Sequence, residues 1–219
     1  PWRNIHALDP SHPDCRAWLT ETFAAFRAMG WRFFKIDFLY AAVLPSVRFD
    51  KSFSRAGALR AGLEAIRRGV GDGALILGCG CPLGPAVGMA DIMRIGPDVT
   101  PAWANPMRPV LRDHHCLSTL HAARNTLNRA FLHRRFWLND PDCVLVRQNK
   151  NRLTDEEMRT FASLAAVSGG MFLLSDDVTA YPAERWAMLE TALACRAETM
   201  RVLDPADGEF PSRTLSPAP

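Results

Sequence analysis

Lysine is scarce in this chain of 219 residues: Lys35, Lys51 and Lys150 are the only ones among 26 basic residues. That bias fits a GC-rich bacterial coding sequence and makes each remaining lysine informative. No run approaches the roughly twenty apolar residues of a membrane-spanning helix. The opening Pro1-Trp2-Arg3 begins neither a charged leader nor a cleavable apolar segment. A bacterial cytoplasmic location is the expectation, for a chain expected to begin inside a longer protein. A formal net charge of +3, with no basic cluster interleaved with aromatics, argues against nucleic-acid binding.

Ligand-holding patterns are also missing. The six cysteines, at 15, 79, 81, 116, 143 and 195, are too dispersed for a disulfide framework and read as reduced, buried residues. Cys79-x-Cys81 has no second cysteine pair or spaced histidine pair, and His114, His115 and His133 follow no ligand spacing, so no metal is expected. Gly78-Cys79-Gly80-Cys81 is too short for a phosphate-binding loop, and there is no GxSxG elbow.

What is present is an ordinary globular composition, 48% hydrophobic and 22% charged, long enough for one domain with a full core. Short apolar runs alternate with longer amphipathic segments, the pattern of βα units on a parallel sheet. Strands are predicted over residues 4–8, 33–39, 74–79, 92–95, 137–140, 143–146 and 171–174. Helices are predicted over 14–29, with Trp18, Phe23 and Phe26 on the apolar side, and over 55–70, 117–133, 154–167 and 182–200. Thr154 and Glu157 form a capping-box pattern. Residues 1–203 read as a catalytic domain and 204–219 as a linker or tail. About six βα units leave two architectures open, an open doubly wound sheet or part of a (β/α)8 barrel.

Polar residues gather at strand C-termini: Asp9, Asp37, Cys79, Asp98, Asp140 and Asp176. Lys35 and Asp37 stand two apart in an apolar strand, so they share a face, opposite Phe34, Ile36 and Phe38. They form either a buried ion pair or the floor of a site. A neighbouring lysine favours the charged form of Asp37, as a nucleophile requires. Asp98 follows the Gly96-Pro97 break, and its neighbours Pro97, Val99 and Trp103 suit a desolvated, protonated acid. Two acids at two strand ends suggest glycosidase chemistry. Asp140 and Asp142, around Pro141, read as turn aspartates, and Asp176 and Asp177 as strand-end caps. His133 reads as a solvated cation at a helix end.

Six segments, from Ala7-Leu8-Asp9-Pro10 through Phe34-Lys35-Ile36-Asp37, Ile76-Leu77-Gly78-Cys79-Gly80, Pro85-Ala86-Val87-Gly88 and Met93-Arg94-Ile95-Gly96-Pro97-Asp98 to Trp137-Leu138-Asn139-Asp140-Pro141-Asp142, closely resemble the catalytic domain of family 36 α-galactosidases (melibiases) in order and spacing. The resemblance implies a (β/α)8 barrel, present here in part, and retaining double displacement. It makes Asp37 the nucleophile and Asp98 the acid/base, with Lys35, Cys79 and Arg94 lining a galactose pocket. It implies no cofactor, and an α-galactoside oligosaccharide as the partner. Retention requires the two carboxyl groups to lie about 5–5.5 Å apart.

Family members also carry early barrel strands and an N-terminal β-rich domain that have no counterpart here. Homo-oligomerisation, or association with such a region, is therefore expected of exposed sheet edges and apolar helix faces. The rival readings are an α-N-acetylgalactosaminidase, a raffinose-type transglycosylase, and a catalytically silent carbohydrate-binding module.

Overall fold

The computed structural model describes residues 6–104, 117–205 and 210–217. It divides into two compact units, Pro1–Met93 and Arg94–Pro219.

In the first unit, helix α1 (Pro13–Ala28) leads to strand β1 (Phe33–Ile36), and a 3-10 turn (Leu39–Val43) precedes helix α2 (Arg55–Val70). Strand β2 (Leu75–Gly78), a short helix α3 (Leu83–Ala86) and strand β3 (Ile92–Arg94) follow, Arg94 being the first residue of the second unit. β1 runs parallel to β2 with Lys35 opposite Leu77, and β2 runs parallel to β3 with Gly78 opposite Met93. α2 starts where the Ser54 hydroxyl caps the Gly57 amide at 3.0 Å, and it stops at Gly71, whose φ of +69° suits glycine. Its buried Leu59, Leu63, Ile66 and Val70 recur at helical spacing.

The core of this unit gathers Leu19, Phe34, Ile66, Val70 and Ile76. α1 and α2 approach closely at Gly69, where a Cβ would fall 2.4 Å from the Thr20 carbonyl oxygen. The apolar face of α1 differs from expectation. Leu19 and Phe23 pack inward, whereas Trp18 stays 53% exposed and Phe26 half exposed. The strand expected over 4–8 lies partly outside the described residues, and His6 to Leu8 are not in a strand.

The second unit contains helix α4 (Thr119–Asn128), a 3-10 turn (Ala130–Leu132), strands β4 (Leu138–Asp140) and β5 (Cys143–Val144), and helix α5 (Asp155–Val167). Strand β6 (Leu173–Leu174), a 3-10 turn (Val178–Ala180), helix α6 (Ala183–Ala194) and strands β7 (Arg201–Val202) and β8 (Thr214–Leu215) complete it. β5 and β6 are parallel, and α5 and α6 cover the buried Val144, Val146, Phe161, Met188 and Leu189. The capping box of α5 forms with both of its bonds, Glu157 N to Thr154 Oγ1 and Thr154 N to Glu157 Oε2. The expected helix over 117–133 is broken after Asn128 into a 3-10 turn, and the last helix ends at Ala194 rather than near Met200. Among the described residues no helix is long and apolar enough to cross a membrane, and five described cysteines are free thiols. His114, His115 and Cys116 lie outside the described residues.

The tail is more ordered than the linker expected. β8 pairs antiparallel with β7, and the Asp204 carboxylate accepts from the Ser212 amide at 2.9 Å, the Ser212 hydroxyl at 2.7 Å and the Arg213 amide at 3.0 Å. Led by the Ser212 amide and helped by the Ser212 hydroxyl, these bonds hold the carboxyl down to about 2, against the opposing effect of burial. The folded value lies below the roughly 3.9 of an unfolded aspartate, so the hairpin gains from Asp204 fully above about pH 4 and loses that gain as pH falls through 2. Amide exchange at Ser212 and Arg213, corrected for intrinsic rates, should accelerate below pH 4. An Asp204→Asn variant should show a smaller pH response over the same window.

Candidate active site

Asp37 lies in the first unit. β1 alternates as its sequence requires, with Phe34 buried and Lys35 exposed, and Asp37 emerges just past its C-terminal end, exposed. Lys35 and Asp37 form no ion pair with each other, so the buried-pair alternative falls away. The alternation stops at Asp37. Phe38 adopts a left-handed φ of +56° and is 51% exposed instead of facing the core with Phe34. The Phe38 amide donates to Asp37 Oδ1 at 2.6 Å.

Backbone pairing continues past the strand ends: Cys79 N donates to the Ile36 carbonyl at 2.8 Å, and Tyr40 N to the Gly80 carbonyl at 2.7 Å. This brings the buried Cys79 alongside the Asp37 segment. Gly80, at φ +52°, lies so close that a Cβ there would stand 3.3 Å from the Tyr40 ring and 3.4 Å from Asp37 Oδ1. Burial, reinforced by Cys79, pushes the Cys81 thiol up to about 12, which makes this cysteine a poor redox nucleophile. Asp37 also borders a cavity of about 220 Å³ whose other walls include Leu8, Leu19, Leu39, Leu63 and Ile66. A sugar needs several convergent polar groups, and among the described residues this cavity is lined by one polar side chain, that of Asp37, so it is not a saccharide site by itself.

Asp98 lies in the second unit, in a cluster organised by Arg94. The Arg94 side chain is 5% exposed and meets three carboxylates: Nε to Asp140 Oδ2 at 3.0 Å, Nη2 to Asp142 Oδ1 at 2.7 Å, and Nη1 to Asp98 Oδ1 at 3.1 Å. Asp98 is 68% exposed. The desolvated setting expected of it is therefore absent, because the loop after Gly96-Pro97 turns the carboxylate outward onto the guanidinium.

Asp140, fully buried, also accepts from the Asp142 amide at 2.9 Å, the local turn bond expected of it. Asp142, at φ +83°, accepts from the Val99 amide at 2.7 Å. Sequence reasoning found that turn but missed its function as the anion pair that neutralises Arg94. Two acids flanking a proline inside an apolar stretch were the available signal.

The remaining candidates are structural. Asp176 accepts from the Val146 and Arg147 amides at 2.7 and 2.9 Å, the Arg147 guanidinium at 3.0 Å and the Tyr181 hydroxyl at 2.7 Å. Burial and the Asp176 charge together raise the Tyr181 hydroxyl well above its usual range. Asp177 caps the turn at Thr179. Asp9 clasps the Ser11 and Phe49 amides and Arg48. Burial opposes its ionisation, but the bonds from Phe49, Ser11 and Arg48 prevail and hold its carboxyl below the usual range.

His133 is buried, not the solvated cation expected. Its Nδ1 accepts from the Asn139 amide and its Nε2 faces the Glu198 carbonyl, and burial lowers its affinity for a second proton. A cavity of about 810 Å³ in this unit, walled by Phe131, His133, Arg135, Arg201 and Leu215, includes neither Arg94 nor Asp98. Among the described residues no cluster of His, Cys, Asp and Glu has the arrangement of a metal site.

Parallel strands alternating with helices, and acids at the strand C-termini, define an α/β fold of the (β/α)8 type, of which this chain carries part. Its relatives among solved structures are glycosidases of that fold. The chain is 33% identical to TtGalA, an α-galactosidase from Thermus thermophilus in complex with p-nitrophenyl α-D-galactopyranoside, with a TM-score of 0.76 over 91% of this chain and 40% of that one. The same enzyme in complex with stachyose matches at 34% identity.

α-Galactosidase I from Mortierella vinacea, at 18% identity and a TM-score of 0.58 over 81% of this chain and 46% of that one, shares the fold. So does a GH27 β-L-arabinopyranosidase from Geobacillus stearothermophilus, at 14% identity and a TM-score of 0.61 over 86% of this chain and 43% of that one. No protein-family model matches the chain. The chain spans about 40% of the length of the Thermus enzyme.

Proposed function

We propose that the protein is a retaining glycoside hydrolase of the family 36 kind that removes terminal α-linked galactose from oligosaccharides. The observation that supports it most is the placement of Asp37 and Asp98, each exposed at a strand C-terminus, in a chain one-third identical to an α-galactosidase over 91% of its length. Asp37 attacks the anomeric carbon while Asp98 gives a proton to the departing oxygen. A glycosyl-aspartate forms, and water, activated by Asp98 as base, then releases galactose with retained configuration.

Lys35, exposed on the strand that leads to Asp37, supplies a donor for sugar hydroxyls, Arg94 acts in the pocket through the Asp98 carboxylate that it holds, and Cys79 supplies a compact apolar wall beside the nucleophile. A bacterial cytoplasmic location belongs to the same reading, supported by the free thiols.

A galactose-configured inactivator that traps retaining nucleophiles tests the assignment. The expected result is one adduct, mapped by peptide mass spectrometry to Asp37. A folded sample of the full-length protein that takes no label, or takes it on another carboxylate, would rule out Asp37 as the nucleophile.

A further inference from the structure

Resting on the reading above, in which Asp98 handles the proton at the glycosidic oxygen, we propose that Asp142 is the positioning residue that aims it. One carboxylate holds Asp98 from two sides. Asp142 Oδ1 fixes Arg94 Nη2 at 2.7 Å, and Arg94 Nη1 in turn holds the Asp98 carboxylate at 3.1 Å. Asp142 Oδ2 takes the amide of Val99, the residue next to Asp98, at 2.7 Å.

Asp142 is itself fixed, since it is 7% exposed and its amide donates to Asp140, which closes the ring by accepting from Arg94 Nε. Asp98, by contrast, is 68% exposed, and a side chain so open to water would sample several rotamers without these two restraints. General acid catalysis is sensitive to such freedom, because a misplacement of about 1 Å costs about a hundredfold in rate.

Asp142→Asn is the informative substitution. Asparagine tolerates a positive φ and keeps the volume, but it offers one acceptor oxygen where the carboxylate offers two, so it must release either Arg94 or the Val99 amide. Two readouts on the full-length protein decide the matter. In Asp142→Asn, hydrogen exchange at the Val99 amide, or mobility of the Arg94 side-chain Nη2 resonance, should rise about tenfold or more relative to core amides.

The kcat/KM for methyl α-galactoside, whose leaving group needs a proton, should fall about a hundredfold. That for dinitrophenyl α-galactoside, whose leaving group needs none, should fall less than about threefold. Unchanged mobility at both Val99 and Arg94, or equal losses on the two substrates, would overturn the proposal. If the unaltered protein hydrolyses neither galactoside, the galactosidase reading fails, and the exchange result alone then decides whether Asp142 holds the Asp98 loop.

Discussion

Asp37→Asn should cut turnover of an aryl α-galactoside by about a thousandfold or more, because a carboxamide cannot form the glycosyl ester that the carboxylate forms. The fold should be unaffected. Asp37 is exposed and its one described bond, from the Phe38 amide, is a bond that an asparagine oxygen also accepts, so the stability change should stay within about 0.5 kcal/mol. The stereochemistry of a rescued reaction makes the assignment stringent. With Asp37→Gly, azide entering the vacated face should displace the leaving group once, giving β-galactosyl azide from an α-galactoside. Galactose release at the parental rate from Asp37→Asn would remove the residue from the mechanism.

Arg94→Met should destabilise the second unit by about 3–5 kcal/mol, since it strands the Asp140 and Asp142 carboxylates in a buried setting without their cation. Asp98→Asn should by contrast cost less than about 1 kcal/mol, because that partner is solvated. Arg94→Lys should fall between them, as an ammonium carries the charge but lacks the planar fork that reaches three carboxylates at once. Urea denaturation of the three variants measures the series. A further test is the triple variant Arg94→Met, Asp140→Asn, Asp142→Asn, which should recover part of the loss by removing the stranded charges. Equal midpoints for Arg94→Met and Asp98→Asn would show that the buried cluster contributes nothing to stability.

Much of the local structure was legible in the residues. Ser54, the Leu59-Leu63-Ile66 spacing and Gly71 delimit α2 at the predicted boundaries, and the capping box at Thr154 and Glu157 starts α5 where expected. Each of these signals acts within a few residues, through a cap, a face or a backbone conformation. Failures occurred where packing overrode them. Trp18 has the hydrophobicity of a core residue, yet α1 turns Leu19 and Phe23 inward because its contact with α2 is set by the approach at Gly69. The tail after Asp204 has the composition of a linker but closes into a hairpin through one carboxylate and the backbone groups of Ser212 and Arg213.

The candidate site divides in the same way. The sequence by itself determined that Phe34 and Lys35 alternate across the strand and that Asp98 leaves its strand at a Gly-Pro break, whereas the exposure of Lys35 and Asp37, left open between a buried pair and a site floor, was decided by the fold. The two-residue period of a strand and the conformational limits of proline are local properties of the chain. Only the tertiary structure decided what Arg94 does. Its partner Asp140 lies 46 residues along the chain, and nothing in the spacing of either residue selects the other. Burial removes water as the competing partner, so the guanidinium takes whichever carboxylates the fold brings within reach, and those are Asp140 and Asp142 as well as the neighbouring Asp98.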